Sequence, residues 1–280
     1  MVKQKKPSGV CKLTGIKGVY VKSHIIPQAL TRLSKTGEKY VETGIGRRTV
    51  RRSTSWYDEN SVIRAGEDML AEIDSAAISM LRKHKLIWSG WSGEKLPLSD
   101  DIIDIDSYPI ARMLEIEKPE IIILFFQSLL WRAAVSTRDE LKDVILDEDI
   151  IEDLRLRILN KSPGSYEQYP IQLFQLITKG IEHNRTPLLE RKKFISKNGI
   201  NYAEYTYVRF YFDGLIAYVY LPKLNSFDKN FLSLCIKNEN KSVVIIQKFE
   251  ESRTLENIKT VLEHNSDKSQ LTNIDQGSDS

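Results

Sequence analysis

The chain has 280 residues, 41% hydrophobic and 28% charged, a globular composition with enough apolar side chains for one large core or two modest ones. Its two cysteines, Cys11 and Cys235, make neither a disulfide framework nor a CxxC pair, so both are expected as reduced thiols. The net charge of +3 hides an asymmetry: residues 1–56 hold thirteen Lys/Arg against two acids, a local +11 that leaves −8 for the other 224 residues.

A basic end suits a polyanionic partner; the plainer reading is a solvated arm. Residues 1–9 are polar and basic with no apolar run behind them, which is not a secretory pattern. The longest apolar stretch, Ile121 to Val135, is too short for a bilayer and is interrupted by Gln127, Ser128 and Arg132. A buried core helix, no membrane and a cytoplasmic location are therefore expected.

In chain order, residues 10–30 read as a short strand, a turn at Gly15–Gly18, a strand from Val19 to Ile26, and a helix with Pro27 in its first turn. Residues 35–56 read as a polar, Gly- and Arg-rich loop. Asn60 or Ser61 is placed to cap a helix reaching His84, whose stripe is Met69, Leu70, Ile73, Ala77, Met80 and Leu81. Trp88-Ser-Gly-Trp91 breaks that helix, and an acidic stretch, Leu96 to Pro109, follows.

Pro119 opens a helix to about Val135 that is apolar nearly all round and should be central. Arg132 inside it needs a buried partner, either an acid between Asp139 and Asp153 or a phosphate. Thr137-Arg-Asp-Glu140 matches a capping box. A further helix spans about Asp149 to Asn160. Beyond Pro170, Asn198-Gly199 and Asp213-Gly214 are hairpin signals, the second joining Tyr205–Phe212 to Leu215–Leu221. Val243 to Phe249 is a last strand. The expected class is α+β, with domains at 1–92 and 93–265 and a disordered tail at 266–280, the second domain ending in an antiparallel sheet.

Cys11-Lys-Leu-Thr-Gly15 followed by Ser23-His-Ile-Ile-Pro27 resembles the opening of bacterial HNH, or treble-clef, proteins. Phe125–Ser136 and Phe210–Tyr220 resemble the bodies attached to such modules. The resemblance implies a strand–strand–helix module at the N-terminus. It also implies His24 as general base, Asn60 or Asp58 as the middle polar residue, and Glu67 or Asp68, with Asp58, as ligands of one divalent metal, Mg²⁺ or Mn²⁺. Ser23 stands where many such nucleases have an Asp or His.

Cys11 is the survivor of a zinc site: Thr14 replaces the second cysteine, and Ile63-Arg-Ala-Gly-Glu67 replaces the later knuckle, so no structural zinc is expected. Arg47, Arg48, Arg51 and Arg52 would hold phosphates. The implied function is a metal-dependent endonuclease acting on nucleic acid, DNA rather than RNA, in bacterial defence or mobile-element biology. The alternative is an inactive descendant that binds nucleic acid or docks a partner protein or a second copy. For each residue a structural role competes: His24 at a strand end, Glu67 and Asp68 at a helix start, Asp58 and Asn60 in a turn. Trp56, beside the arginines, is either a core aromatic or a base-stacking surface, with core packing preferred.

Overall fold

The computed structural model describes residues 7–31, 40–43, 50–52, 55–93, 95–96, 102–103, 111–180, 183–195, 202–222, 227–253 and 255–256. The first strands are short: β1 (Ser8–Val10), β2 (Lys17–Val19), β3 (Ser23–His24), β4 (Tyr40–Thr43), β5 (Val50–Arg52) and β6 (Tyr57–Asp58). Helix α1 (Arg64–Lys83) follows, then β7 (Ile102–Ile103), β8 (Ala111–Glu115), α2 (Pro119–Val135) and α3 (Glu148–Leu159). The remainder is β9 (Ile171–Leu176), β10 (His183–Ile195), β11 (Tyr202–Phe212), β12 (Leu215–Tyr220), α4 (Lys229–Ser233) and β13 (Lys241–Gln247).

Apolar periodicity decides the helices. On α1, Leu70, Ile73, Ala77, Ile78 and Leu81 are buried, and Met69 and Met80 are half-buried against the same core. On α2 every residue from Ile122 to Ala133 is buried, as its all-round apolarity requires. Some of its inner polar groups find partners: Gln127 Nε2 donates to the Pro163 carbonyl (3.0 Å) and Ser128 Oγ to the Phe125 carbonyl (2.7 Å). Leu13, Ile25, Leu70 and Leu81 share one core with Phe125, Leu129, Phe210 and Val244, so residues on both sides of the boundary expected at residue 92 pack together.

Nine strands form one sheet in the order β5-β4-β10-β11-β12-β9-β13-β8-β7. The Asp213-Gly214 hairpin joins β11 to β12 with both turn residues at positive φ, +49° and +75°, the geometry of a two-residue type I′ turn. The expectation of an antiparallel sheet is corrected: β4 runs parallel to β10 and β9 parallel to β13, so the sheet is mixed. Neither pairing follows a local turn, and periodicity carries no information about partners so distant in sequence.

Five more readings change. Neither Asn60 nor Ser61 caps α1, whose N-cap residue is Ile63 with no side-chain bond. The helix expected after Pro27 is a single 3₁₀ turn, Gln28–Leu30, with Pro27 as its cap residue. The loop expected over residues 35–56 contains β4 and β5. Thr137 does not close a capping box: the 3₁₀ turn at Asp139–Leu141 has no side-chain cap, Thr137 bonds Asp58, and Glu140 pairs with Arg138. Arg132 pairs with Asp74 rather than with an acid beyond residue 138. Asn198-Gly199 and the tail at 266–280 lie outside the described residues. No helix among the described residues is long and apolar enough to cross a membrane.

The tryptophan turn after α1 clamps the β11–β12 hairpin. Trp88 Nε1 donates to the Leu176 carbonyl (2.9 Å) and the Ser89 amide to the Asp213 carboxylate (3.1 Å). A Cβ on Gly214 would stand 2.2 Å from Trp88 Nε1. Gly214→Ala therefore combines an unfavourable positive φ with a clash and should cost about 2–4 kcal/mol, read as the urea midpoint of unfolding.

Candidate functional site

Strand β3 pairs with β6 antiparallel, Ser23 opposite Asp58 and His24 opposite Tyr57, and α1 follows β6 after five residues. Residues directly opposite each other share a face of the ribbon, and successive residues alternate. Ser23 and Asp58 thus belong to one face, His24 and Tyr57 to the other.

The first face turns toward α1 and α2 and is a closed polar node. The Ser23 hydroxyl is hydrogen-bonded to the Glu67 carboxylate. Arg132 reaches in from α2, 4% exposed, and its two terminal nitrogens grip the Asp74 carboxylate. The same guanidinium donates to the His24 carbonyl (3.1 Å) and the Ser128 hydroxyl (2.9 Å). Burial pushes the Glu67 carboxyl above its ordinary range; the Ser23 bond and Arg132 oppose this, and Asp74 adds to it. Glu67 Oε2 is buried without a hydrogen-bond partner among the described residues.

Asp58 is fully engaged. Its Oδ2 accepts from the Thr137 amide (2.5 Å), the Thr137 hydroxyl (3.0 Å) and the Ser136 hydroxyl (3.1 Å), and its Oδ1 from the Asn60 amide (2.7 Å). Burial pushes this carboxyl up, but the four donors outweigh it and hold it below the ordinary range. Asp58 is therefore a tie between β6 and the end of α2. The Asn60 side chain is exposed beside it.

The second face is cationic and aromatic. Lys22 Nζ lies 3.6 Å from the Tyr57 ring centroid, the Arg138 guanidinium 6.0 Å, and the His24 ring meets Tyr57 edge-on at 6.1 Å. Lys22 is exposed; Arg138 is half-buried and also pairs with Glu140 (2.9 Å).

The structure thus brings Ser23 and Glu67 together and puts His24 beside Tyr57. Asp68 instead makes a solvent-facing pair with Arg64 (3.4 Å). Cys11 Sγ accepts from the Thr14 amide (3.4 Å) and packs on Gly66, where a Cβ would lie 3.0 Å away. Cys11 and the start of α1 are thus joined by direct packing. Trp56 is 3% exposed and belongs to the core. Arg47 and Arg48 lie outside the described residues, and of Arg51 and Arg52 only the backbone, in β5, is described.

Four residues that build the site carry weak signals of their own. Asp74 lies two turns beyond Glu67 on α1, four residues after Leu70 and three before Ala77, a spacing that could have marked it as inward-facing. Lys22 and Tyr57 become neighbours through the β3–β6 pairing, and Arg138 joins them where Thr137 bonds Asp58. No family model, curated protein or solved structure matches the chain. Among the described residues no group of three or more His, Cys, Asp or Glu side chains is arranged to hold a metal ion.

Two outcomes follow. Asp74→Ala strands a buried guanidinium and should cost about 3–5 kcal/mol in chemical denaturation, whereas Asp74→Leu combined with Arg132→Met should recover much of that loss. Asp58, held low, contributes stability that is present above its ordinary value of 3.8 and lost as pH falls through its folded value. Glu67, held high, acts oppositely: stability declines as pH rises from 4.5 toward its folded value. Asp58→Asn should flatten the acid limb of a stability–pH curve, and Glu67→Gln the decline above it.

Proposed function

We propose that the chain is an HNH-derived nucleic-acid-binding protein that holds the polymer through the Tyr57 face of its β3–β6 ribbon and does not hydrolyse it. The observation that carries this reading is the gathering of Lys22, Arg138 and His24 around one half-buried aromatic ring. Cations beside a ring suit a sugar–phosphate strand, since they displace condensed counterions while the ring offers a stacking surface. The net charge of +11 on residues 1–56 extends that field. By the resemblance alone, DNA is the expected polymer and the setting bacterial defence or mobile-element biology; the cysteine usage and the polar, basic N-terminal residues suit a cytoplasmic compartment.

Loss of hydrolysis has its own support. A single-metal site of this type would centre on the residue before His24 and an acid at the start of α1. Here Ser23 and Glu67 bond to each other, and Arg132 supplies the positive charge beside them. Ser23 offers a neutral hydroxyl where such a site has an Asp or His, a poor ligand for a divalent cation. The rival reading, a Mg²⁺- or Mn²⁺-dependent endonuclease with His24 as base, draws on Glu67 Oε2, a buried carboxylate oxygen still open to a ligand.

Fluorescence anisotropy with a short DNA across a salt series decides the first claim. Wild type should bind with a steep salt slope, and Lys22→Ala with Tyr57→Ala should weaken binding about tenfold and shrink the slope by about one unit. No binding at low salt would remove the proposal. Plasmid incubated with Mg²⁺ or Mn²⁺ should stay intact with wild type and with His24→Ala alike. Cleavage by wild type alone would install the endonuclease reading instead.

A further inference from the structure

The two faces of the large sheet differ in chemistry. Val208, Phe210, Phe212, Ala217, Val219 and Leu173 lie on the face that packs in the main core with α2. The alternate residues of β10, β11, β12 and β9 lie on the other face: Arg185 opposite Tyr211, Glu190 opposite Tyr207, Arg209 beside Tyr218 across the β11–β12 pair, and Phe174 beside Ile216. Two aromatic clusters cover the ends of this face. One holds Trp88, Tyr211 and Phe249; the other holds Tyr205, Tyr220 and Phe227; Tyr218 packs against both.

Between the clusters the charges do not balance. Arg209 is ion-paired with Glu190 (3.0 Å), whose other oxygen accepts from the Tyr207 hydroxyl (2.8 Å), and Arg209 also bonds the Tyr218 hydroxyl. The one carboxylate is therefore committed. Arg185, projecting beside Arg209 where β10 shifts register, makes no hydrogen bond or ion pair among the described residues. Arg253, exposed, acts on the same tyrosine, so three guanidiniums and one carboxylate surround Tyr218.

We propose that this face carries an anion site in which Arg185, with Arg209 behind it, takes the phosphate group of a small phosphorylated molecule. A guanidinium fork matches two oxygens of a phosphate at once, and the local excess of two positive charges matches a phosphate monoester dianion. The half-buried Phe174–Tyr218 pair, ring centroids 4.8 Å apart, offers an apolar surface for the carrier of the phosphate. The environment is consistent with an unanswered cation: burial first, and then the neighbouring Arg209, push Arg185 down to about 10. The covered ends of the face favour a small ligand over a polymer. The site shares no residue with the β3–β6 ribbon and stands independently of the function proposed for it.

The test is thermal unfolding of the full chain against inorganic phosphate and against a nucleoside monophosphate, with sodium chloride matching ionic strength. Both phosphates should raise the wild-type melting temperature saturably, and a stronger response to the nucleotide would identify a phosphorylated organic ligand rather than free phosphate. Arg185→Met should weaken either response about tenfold or more, and Arg185→Lys should fall between. Without ligand, Arg185→Met should melt at or above the wild-type temperature, because it removes an unpaired, like-charged neighbour of Arg209. The proposal is overturned if wild type responds only as it does to chloride, or if Arg185→Met responds like wild type. It is equally overturned if unliganded Arg185→Met melts below wild type, or if only an oligonucleotide binds through Arg185.

Discussion

Arg132 is the constraint on which the N-terminal half depends. A guanidinium in the middle of an apolar helix is costly to desolvate unless every donor direction is answered. Asp74 answers two of them from α1, the His24 carbonyl a third from β3, and the Ser128 hydroxyl and carbonyl the fourth and fifth from its own helix. One side chain thereby fixes α1 and β3 against α2. A second tie lies at the end of α2, where Ser136 and Thr137 hold Asp58 of β6. Because β3 and β6 pair with each other, the two ties together set the position of the ribbon and the side from which Tyr57 is reached.

Two further contacts join the strands to the start of α1. Cys11 packs directly on Gly66, where a Cβ would lie 3.0 Å from its sulfur. Ser23, on β3, meets the Glu67 carboxylate in the first turn of α1. With the Arg132 and Asp58 ties, these contacts hold the short strands, which have few ladder bonds of their own, against the two helices.

What was legible in the sequence was whatever depends on near neighbours. The period of Leu70, Ile73, Ala77 and Leu81 marked α1, the unbroken apolar run marked α2 from Pro119 to Val135, and Asp213-Gly214 marked its hairpin, because burial and turn geometry act within a few residues. The failures share a cause as well. Thr137 has the local spacing of a cap, yet Asp58, distant in sequence, is the stronger acceptor once α2 and β6 meet. Arg132 advertised a need for a partner but not which acid would be there. The parallel pairings of β4 with β10 and β9 with β13 join segments with no turn between them. In the site, His24 and Glu67 could be singled out by type, but that Ser23 rather than His24 shares the face of Asp58 is decided by a register two residues long.

The charge asymmetry gains meaning from these contacts. A basic end and an acidic body could have cancelled by folding against each other. The described cations of that end do something else: Lys12 donates to the Val135 carbonyl at the C-terminus of α2, and Lys22 covers Tyr57, and neither engages a carboxylate among the described residues. Helix-end and aromatic contacts position a lysine without neutralising it. On the side of the ribbon away from Ser23 and Asp58, Lys22 thus keeps its charge, while Arg138 gives its own to Glu140. On the opposite side Asp58 is held by its donors and Asp74 by Arg132, and Glu67 keeps one buried oxygen without a partner among the described residues. One strand thickness therefore separates a solvated cation from a cluster of buried carboxylates.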